Sequence, residues 1–344
     1  MKALRWYAKK DLRYKDIPEP IAGPGQIKAR INLAGICGSD LREFTNGPRI
    51  IDINKVPLTI GHEFAGTVVD IGSGVSDIKI GDRVTGLCYW VCGECYYCKK
   101  AKYNLCINKG LIGANADGCM AEYLVAPRYL FQILPDSVSD EIGSLVEPLS
   151  VGMRAVCQGK VGLGDTVVIV GDGPIGICTM LAAKVAGASK VYLMSKHKNR
   201  GAVALTMGAT NVINVKNEDP IGIISHLTGG LGVDVSIDCV GSPDSPQLSL
   251  DVVRKGGTIV MVGASYNASP IFFRNLMAGE KTIIGSNTYI NESSMAIALL
   301  ADKRMDLSLL ITSKIPIQDA VEKGFNRLLD NKEDNLKILL QIPQ

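Results

Sequence analysis

The sequence predicts an α/β protein in two parts. One part is β-rich and built of short strands, and the other is a doubly wound parallel sheet with helices on both faces. Three observations carry this reading. The chain has 344 residues, the length of about two domains at roughly 150 residues each. Up to about residue 150 the apolar runs are short and punctuated by Gly and Pro. Beyond it, short fully apolar strands alternate with helical segments.

In the first part, Gln26 to Leu33 alternates polar and apolar residues, and Phe64 to Ile71 is rich in Val, Gly and Thr. Tyr123 to Val125 and Leu130 to Leu134 are further strand candidates, and turns fall at Gly23-Pro24-Gly25, Gly47-Pro48 and Gly72-Ser73-Gly74. This is the signature of a small barrel or sandwich. The second part begins with the strand Thr166 to Val170 and the helix Pro174 to Val185. Lys190 to Met194 reads as a strand, Arg200 to Met207 as a helix, and Asn211 to Val215 as extended. Val233 to Ile237 and Thr258 to Val262 continue the alternation. Helices are expected at Ser293 to Ala301 and Ile317 to Leu329, then an extended end at Leu336 to Ile342.

Composition narrows the function classes. Apolar residues make up 47% and charged residues 21%, an ordinary globular balance that argues against disorder. Glycine is abundant, at 37 residues, but has no collagen-like period. The net charge, +3, is too small and dispersed to make nucleic acid or a membrane the main partner. The N-terminal segment lacks the apolar stretch of a signal peptide, and no run of eighteen apolar residues occurs, so a cytoplasmic protein is expected. In a reducing compartment, clustered cysteines more often bind metal than form disulfides. A thermophilic source with cytosolic disulfides stays open.

Gly171-Asp172-Gly173-Pro174-Ile175-Gly176 is G-x-G-x-x-G between a strand and a helix, the context of a dinucleotide site. Gly171 permits the tight turn, Gly173 lets the backbone approach a pyrophosphate, and Gly176 allows close helix–strand packing. The plain alternative is a glycine-rich turn with no ligand. NAD-binding chains place an acid at the end of the next strand, to hold the ribose hydroxyls. Here that position falls on Ser195, in Met194-Ser195-Lys196-His197-Lys198-Asn199-Arg200, which has no carboxylate. Ser195 can hydrogen-bond a 2′-phosphate, and Lys196 and Arg200 can neutralise it. NADP(H) is therefore expected over NAD(H); a solvated basic loop is the alternative.

Cys92, Cys95, Cys98 and Cys106 fall within fifteen residues, the spacing of a closed tetrahedral zinc site with a structural role. A single iron on four thiolates satisfies the same geometry. Cys37 in Gly-Ile-Cys-Gly-Ser-Asp, His62 in Gly-His-Glu and Glu147 in Val-Glu-Pro would suit a catalytic zinc with one open position. No spacing rule joins these three. Cys88, Cys119, Cys157, Cys178 and Cys239 read as core or scattered thiols, and His226 as a surface residue.

Taken in order, these motifs resemble the zinc-dependent medium-chain alcohol and polyol dehydrogenases, over nearly the whole chain. The run from Cys37 to Pro48 and the Glu147-Pro148 pair look most like the 2,3-butanediol and sorbitol dehydrogenase branch. The resemblance implies a GroES-like catalytic domain from residues 1–149 and 288–344, with a structural zinc lobe at 88–107. It implies a Rossmann domain from residues 150–287. It also implies two zinc ions per chain, with Cys37, His62, Glu63 and Glu147 around the catalytic one. Either glutamate could be the bound carboxylate. Ser39 would begin a proton relay, and Asp40 would orient His62. Val262, Gly263, Ser286, Asn287 and Thr288 would line the nicotinamide side. Arg42 stands where the family often has the His that ends the relay, so the proton would leave through Ser39 and water, or through Glu147. The implied reaction is reversible oxidation of a secondary alcohol of a diol or polyol to a ketone, by a homotetramer or homodimer acting on a small molecule. An aldose, sugar-phosphate or threonine dehydrogenase on the same scaffold is the nearest alternative. A zinc protein that senses NADP(H) is the non-enzymatic one.

Overall fold

The computed structural model describes residues 1–343. Two compact units emerge. The first holds Met1–Glu147, Ser293–Lys303 and the residues from Ile311 onward, and the second holds Pro148–Glu292 and Arg304–Leu310. The sequence-derived boundaries at 149/150 and 287/288 differ from these: the divisions fall at 147/148 and 292/293, and the turn Arg304–Leu310 belongs with the second unit, where short-range periodicity offers no cue. Its Leu307 and Leu310 are fully buried.

The strands of the first unit are β1 (Lys2–Ala8), β2 (Asp11–Asp16), β3 (Gln26–Gly35), β4 (Leu58–Thr59), β5 (Glu63–Ile71), β6 (Arg83–Gly86), β7 (Tyr89–Trp90), β8 (Gly110–Leu111), β9 (Tyr123–Pro127) and β10 (Phe131–Ile133). The second unit contributes β11 (Thr166–Val170), β12 (Lys190–Ser195), β13 (Asn211–Asn214), β14 (Val233–Asp238), β15 (Val253–Met261) and β16 (Thr282–Gly285). The chain then returns to the first unit with β17 (Ile311–Pro316) and β18 (Lys337–Gln341).

In the first unit the main sheet runs β10-β6-β5-β3-β18-β17, with β9 also pairing β3. β18 is antiparallel to β3, with Leu340 opposite Ala34 and Leu339 opposite Gly35. The chain's end therefore sits beside the start of helix α1 (Gly38–Asn46). This helix was not legible from periodicity. It starts because Cys37 is extended and Asp40 reaches back to accept the Cys37 N–H at 2.9 Å. It stops at Gly47, whose φ of 92° disfavours other residues. The core includes Trp6, Ile27, Ile31, Phe64 and Leu130. Phe44 meets Phe325 edge-on at 5.4 Å.

The single helix expected at Ile317 to Leu329 is instead a 3₁₀ turn (Ile317–Asp319), a π-helical stretch (Ala320–Asn326) and a short α-helix (Arg327–Asp330). Ala320, Gly324 and Phe325 are all buried, and the wider winding turns Ala320 and Phe325 to one face. Periodicity near 3.6 cannot distinguish this from a regular helix.

In the second unit the sheet order is β13-β12-β11-β14-β15-β16, and all five pairings are parallel. Its central strands are buried on both faces, which explains their continuous apolar runs. The order reverses between β11 and β14, the switch point where ligands of such sheets bind. No helix among the described residues is long and apolar enough to cross a membrane.

The glycine turn follows β11. Gly171 has a φ of 117°, and a side chain at Gly173 would point into open space. A Cβ at Gly176 would overlap the Gly171 carbonyl oxygen. Gly176→Ala should therefore cost about 1–3 kcal/mol of stability by overpacking, read as a lower Tm. An unchanged Tm would contradict this contact.

Candidate metal and cofactor sites

The four lobe cysteines converge. Cys92, Cys95, Cys98 and Cys106 have ligand atoms all within 4.8 Å of one another. Cys95 and Cys98 Sγ are 3.5 Å apart, as are Cys92 and Cys106 Sγ. Disulfides are excluded, since those bonds are about 2.05 Å long. A tetrahedral zinc with Zn–S near 2.3 Å places sulfurs about 3.8 Å apart, so these residues fit one. The lobe's chemistry also wants positive charge. Cys95 is drawn down to about 6 by N–H donors from Cys98 and then Ile107. Cys98 is pushed up to about 12 by burial and then by the Cys95 thiol. Thiols this close cannot all ionise without a cation.

The second group joins segments remote in sequence. Cys37 caps α1, His62 ends the loop into β5, and Glu63 opens that strand. Their ligand atoms also lie within 4.8 Å of one another. Local glycines make room: a Cβ at Gly35 would overlap Glu63 Oε2, and Gly61 has a φ of 94°. Burial opposes charge on His62, but the Cys37 thiolate, then Asp40, then Glu147 outweigh it and raise its pKa well above the usual value. The same anionic field suits a dication.

Glu63 is fully buried, and Lys337 on β18 is its counter-ion. Lys337 Nζ donates to Glu63 Oε2 at 2.6 Å and Oε1 at 2.8 Å, and to the Ile36 carbonyl at 3.1 Å. Burial opposes the ammonium, but Glu63, then Cys37 and Glu147, together outweigh that penalty, so the Lys337 pKa is raised. Glu147 is buried outside this three-ligand group. Its carboxyl is pushed up to about 7 by burial, against the pull of His62 and with the repulsion of Glu63, and it is hydrogen-bonded to the Cys88 thiol. Asp40 Oδ1 is 3.9 Å from His62 Nδ1, an ion-pair distance and too long for a hydrogen bond. The Ser39 hydroxyl is buried with no protein partner among the described residues. Arg42 lies one turn further along α1.

Several residues were missed. Lys337 carried one signal, a charge inside the apolar run Leu336 to Leu340. Cys88 and Cys119 read as plain thiols, yet Cys88 meets Glu147, and the Cys119 thiol donates to the Glu63 carbonyl at 3.5 Å. His226 is exposed, as read from the sequence.

At the nucleotide turn, one expectation needs correcting. Ser195 is 2% exposed, and its hydroxyl donates to Asp172 Oδ2 at 2.6 Å instead of facing outward. Asp172, the second residue of the glycine turn, offers it a buried acceptor that spacing alone did not reveal. Lys196 is exposed, and Arg200 Nη1 lies 3.7 Å from Asp172 Oδ1. Pro174 and Ile175 open helix α2 (Pro174–Val185), with Pro at the first turn. Val262 and Gly263, just past β15, donate N–H bonds to the Asp238 carbonyl, each at 2.9 Å. Gly263 and Gly241 are packed so closely that neither could carry a Cβ. After β16, the Ser286 and Thr288 hydroxyls are buried without protein partners among the described residues, and Thr288 has a φ of 47°. Asn287 lies between them. Buried hydroxyls without partners, in strained backbone, fit a polar ligand at this strand end.

Comparison with known proteins agrees with this geometry. Residues 23–136 match the alcohol dehydrogenase GroES-like domain, and residues 174–302 match the zinc-binding dehydrogenase family. The chain is 34% identical to the (R,R)-butanediol dehydrogenase of Bacillus subtilis, covering 99% of each chain. It is 33% identical to the sorbitol dehydrogenase of the same organism, covering 99% of this chain and 97% of that one. The crystal structure of the Bacillus subtilis 2R,3R-butanediol dehydrogenase superposes with a TM-score of 0.92 at 33% identity, covering 100% and 99%. A zinc-binding dehydrogenase from Sinorhizobium meliloti 1021, solved with NADP, gives 0.91 at 28% identity, covering 99% and 98%. An Escherichia coli CFT073 alcohol dehydrogenase, solved with NADH, gives 0.92 at 27% identity, covering 99% of each chain.

The Lys337–Glu63 pair is open to direct test. Its side chains are 3% and 1% exposed, so removing one partner strands a buried charge. Lys337→Ala should lower the unfolding free energy in urea by about 3–5 kcal/mol, and Lys337→Arg by less. A loss below about 1 kcal/mol, the worth of an exposed pair, would contradict this role.

Proposed function

As this chain belongs to the zinc-dependent medium-chain alcohol and polyol dehydrogenases, we propose that it oxidises a secondary alcohol of a diol or polyol to a ketone, reversibly and with NADP(H) preferred over NAD(H). That it is an NAD(P)-dependent alcohol dehydrogenase follows from the family itself. The observation that carries the finer reading is the convergence of Cys37 with the adjacent His62 and Glu63, from two separate segments, on one point.

Cys37, His62 and Glu63 would hold the catalytic zinc, and Cys92, Cys95, Cys98 and Cys106 the structural one. When bound, zinc supplies a Lewis acid for the alcohol oxygen and the nicotinamide supplies a hydride acceptor. The protein's residues do the rest. Lys337 offsets one charge on Glu63, so the ligand set does not carry an unbalanced buried anion. Asp40 holds Cys37 at the start of α1 and places its own charge near the imidazole of His62. Ser39 would pass the alcohol's hydroxyl proton on to water, or Glu147 would accept it. Ser39 suits this because its hydroxyl has no competing protein partner. Gly171, Gly173 and Gly176 would cradle the pyrophosphate at the start of α2. Val262, Gly263, Ser286, Asn287 and Thr288 would line the nicotinamide side.

NADP(H) preference is supported by the lack of a carboxylate from Met194 to Arg200 and by the exposed Lys196. The butanediol and sorbitol dehydrogenase relatives support a diol or polyol substrate. We also propose that the chain acts in the cytoplasm as a homotetramer or homodimer.

Cys37→Ala should abolish turnover and lower zinc content from two to one per chain, with an unchanged circular dichroism spectrum. Full activity in that variant would reject the zinc mechanism. Purified enzyme offered diols, polyols, sugars, sugar phosphates and L-threonine, each with both cofactors, should turn over a diol or polyol best with NADP. A best rate on L-threonine or a sugar phosphate would overturn the substrate reading.

A further inference from the structure

The end of β12 has no acid, yet a carboxylate is present beneath it. It comes from the glycine turn. Asp172 Oδ2 accepts from the Ser195 hydroxyl at 2.6 Å, from the Lys196 and His197 N–H groups at 2.9 Å each, and from His197 Nδ1 at 2.9 Å. Oδ1 lies 3.2 Å from the same ring nitrogen and 3.7 Å from Arg200 Nη1. The Asp172 side chain is 8% exposed.

These contacts have two consequences. Four donors converge on Oδ2, while Oδ1 faces the His197 ring and the Arg200 guanidinium. Asp172 is therefore turned toward the residues of the β12 turn and held there. It also binds together two turns: the glycine turn after β11 and the turn after β12. Gly201, on the helix that follows (Lys198–Thr206), completes the packing. A Cβ there would come within 2.9 Å of Val212 Cγ1 and 3.4 Å of Ser195 Oγ. Charge points the same way. Around one buried anion stand Lys196, Arg200 and His197, and Lys198 follows. The local balance is positive even with Asp172 ionised.

We propose that Asp172 is a positioning residue for cofactor choice. It clamps the β12 turn onto the glycine turn, so that Lys196 and Arg200 meet the 2′-phosphate of NADP(H), with Ser195 part of the clamp and not a phosphate ligand. The proposal rests on the NADP(H) preference stated above. It makes an unusual demand on the strand-end position. An acid placed at residue 195 would not create a ribose site, because it would face Asp172 across a hydrogen-bond distance as a like charge.

The test measures Kd and kcat/KM for NADPH and NADH with the purified, zinc-loaded enzyme. The wild type should favour NADPH. Asp172→Asn should weaken NADPH roughly ten-fold more than NADH, as expected for losing a charge-assisted arrangement. Lys196→Ala, at an exposed position, should do likewise, and the double variant should lose less than the sum of the two. Ser195→Asp alone should weaken NADPH without improving NADH. Asp172→Ser combined with Ser195→Asp should make NADH the better cofactor. Equal weakening of both cofactors by Asp172→Asn would mean a merely structural role and overturn the proposal. So would a gain in NADH from Ser195→Asp alone. A wild type that prefers NADH would overturn the NADP(H) reading and this inference with it, and that outcome is visible before any variant is made.

Discussion

A buried charge must find its partner inside the protein, and the first unit is organised around one such match. Glu63 and Lys337 are 274 residues apart and almost wholly excluded from water. Solvation lost on burial costs several kcal/mol per ion, which only a close partner of opposite charge offsets. The counter-ion of Glu63 arrives only because β18 pairs with β3, which puts Lys337 close to the Ile36 carbonyl and behind the Cys37, His62 and Glu63 group. The strand β18 is thus also the electrostatic floor of the proposed metal site. Gly35, which leaves room for the Glu63 carboxylate, belongs to the same arrangement.

The same economy recurs elsewhere. Buried carboxylates in this chain fasten loops by collecting N–H donors. Asp40 secures the first turn of α1 through the Cys37 N–H. Glu43, on the same helix, accepts from the N–H groups of Arg49, Ile50 and Ile51, and so holds the segment after Gly47-Pro48. Asp172 does this for the turn after β12. In each case an anion replaces the hydrogen bonds that an irregular segment lacks, and leaves the loop ordered without a regular ladder.

Local patterns were largely legible. Thr166 to Val170 and the helix from Pro174 were read at their observed bounds, because a buried parallel strand and a glycine-led helix both have strong local signals. The four lobe cysteines were readable because close spacing already confines them. Helix α1 was not, since it is short and its start depends on a cap that only a side chain's reach reveals. The π-helical stretch was missed because its winding is set by packing of Ala320 and Phe325, not by composition. Ser195 was read as a partner for a 2′-phosphate because a strand's alternation does not say which acceptor waits beneath its end.

The sequence by itself determined which chemistry was available: soft thiolates, one well-placed imidazole, a glycine turn after an apolar strand, and no acid at the next strand's end. These are properties of residue type and short spacing, which covalent geometry carries directly. Only the tertiary structure decided which of those groups meet. It brought Cys37, His62 and Glu63 within 4.8 Å, set Glu147 against Cys88, supplied Lys337 from the far end of the chain, and gave Ser195 to Asp172. The reason is physical. Each of these contacts depends on strand pairing and burial across long sequence distances, and a buried polar group takes whichever partner the fold presents.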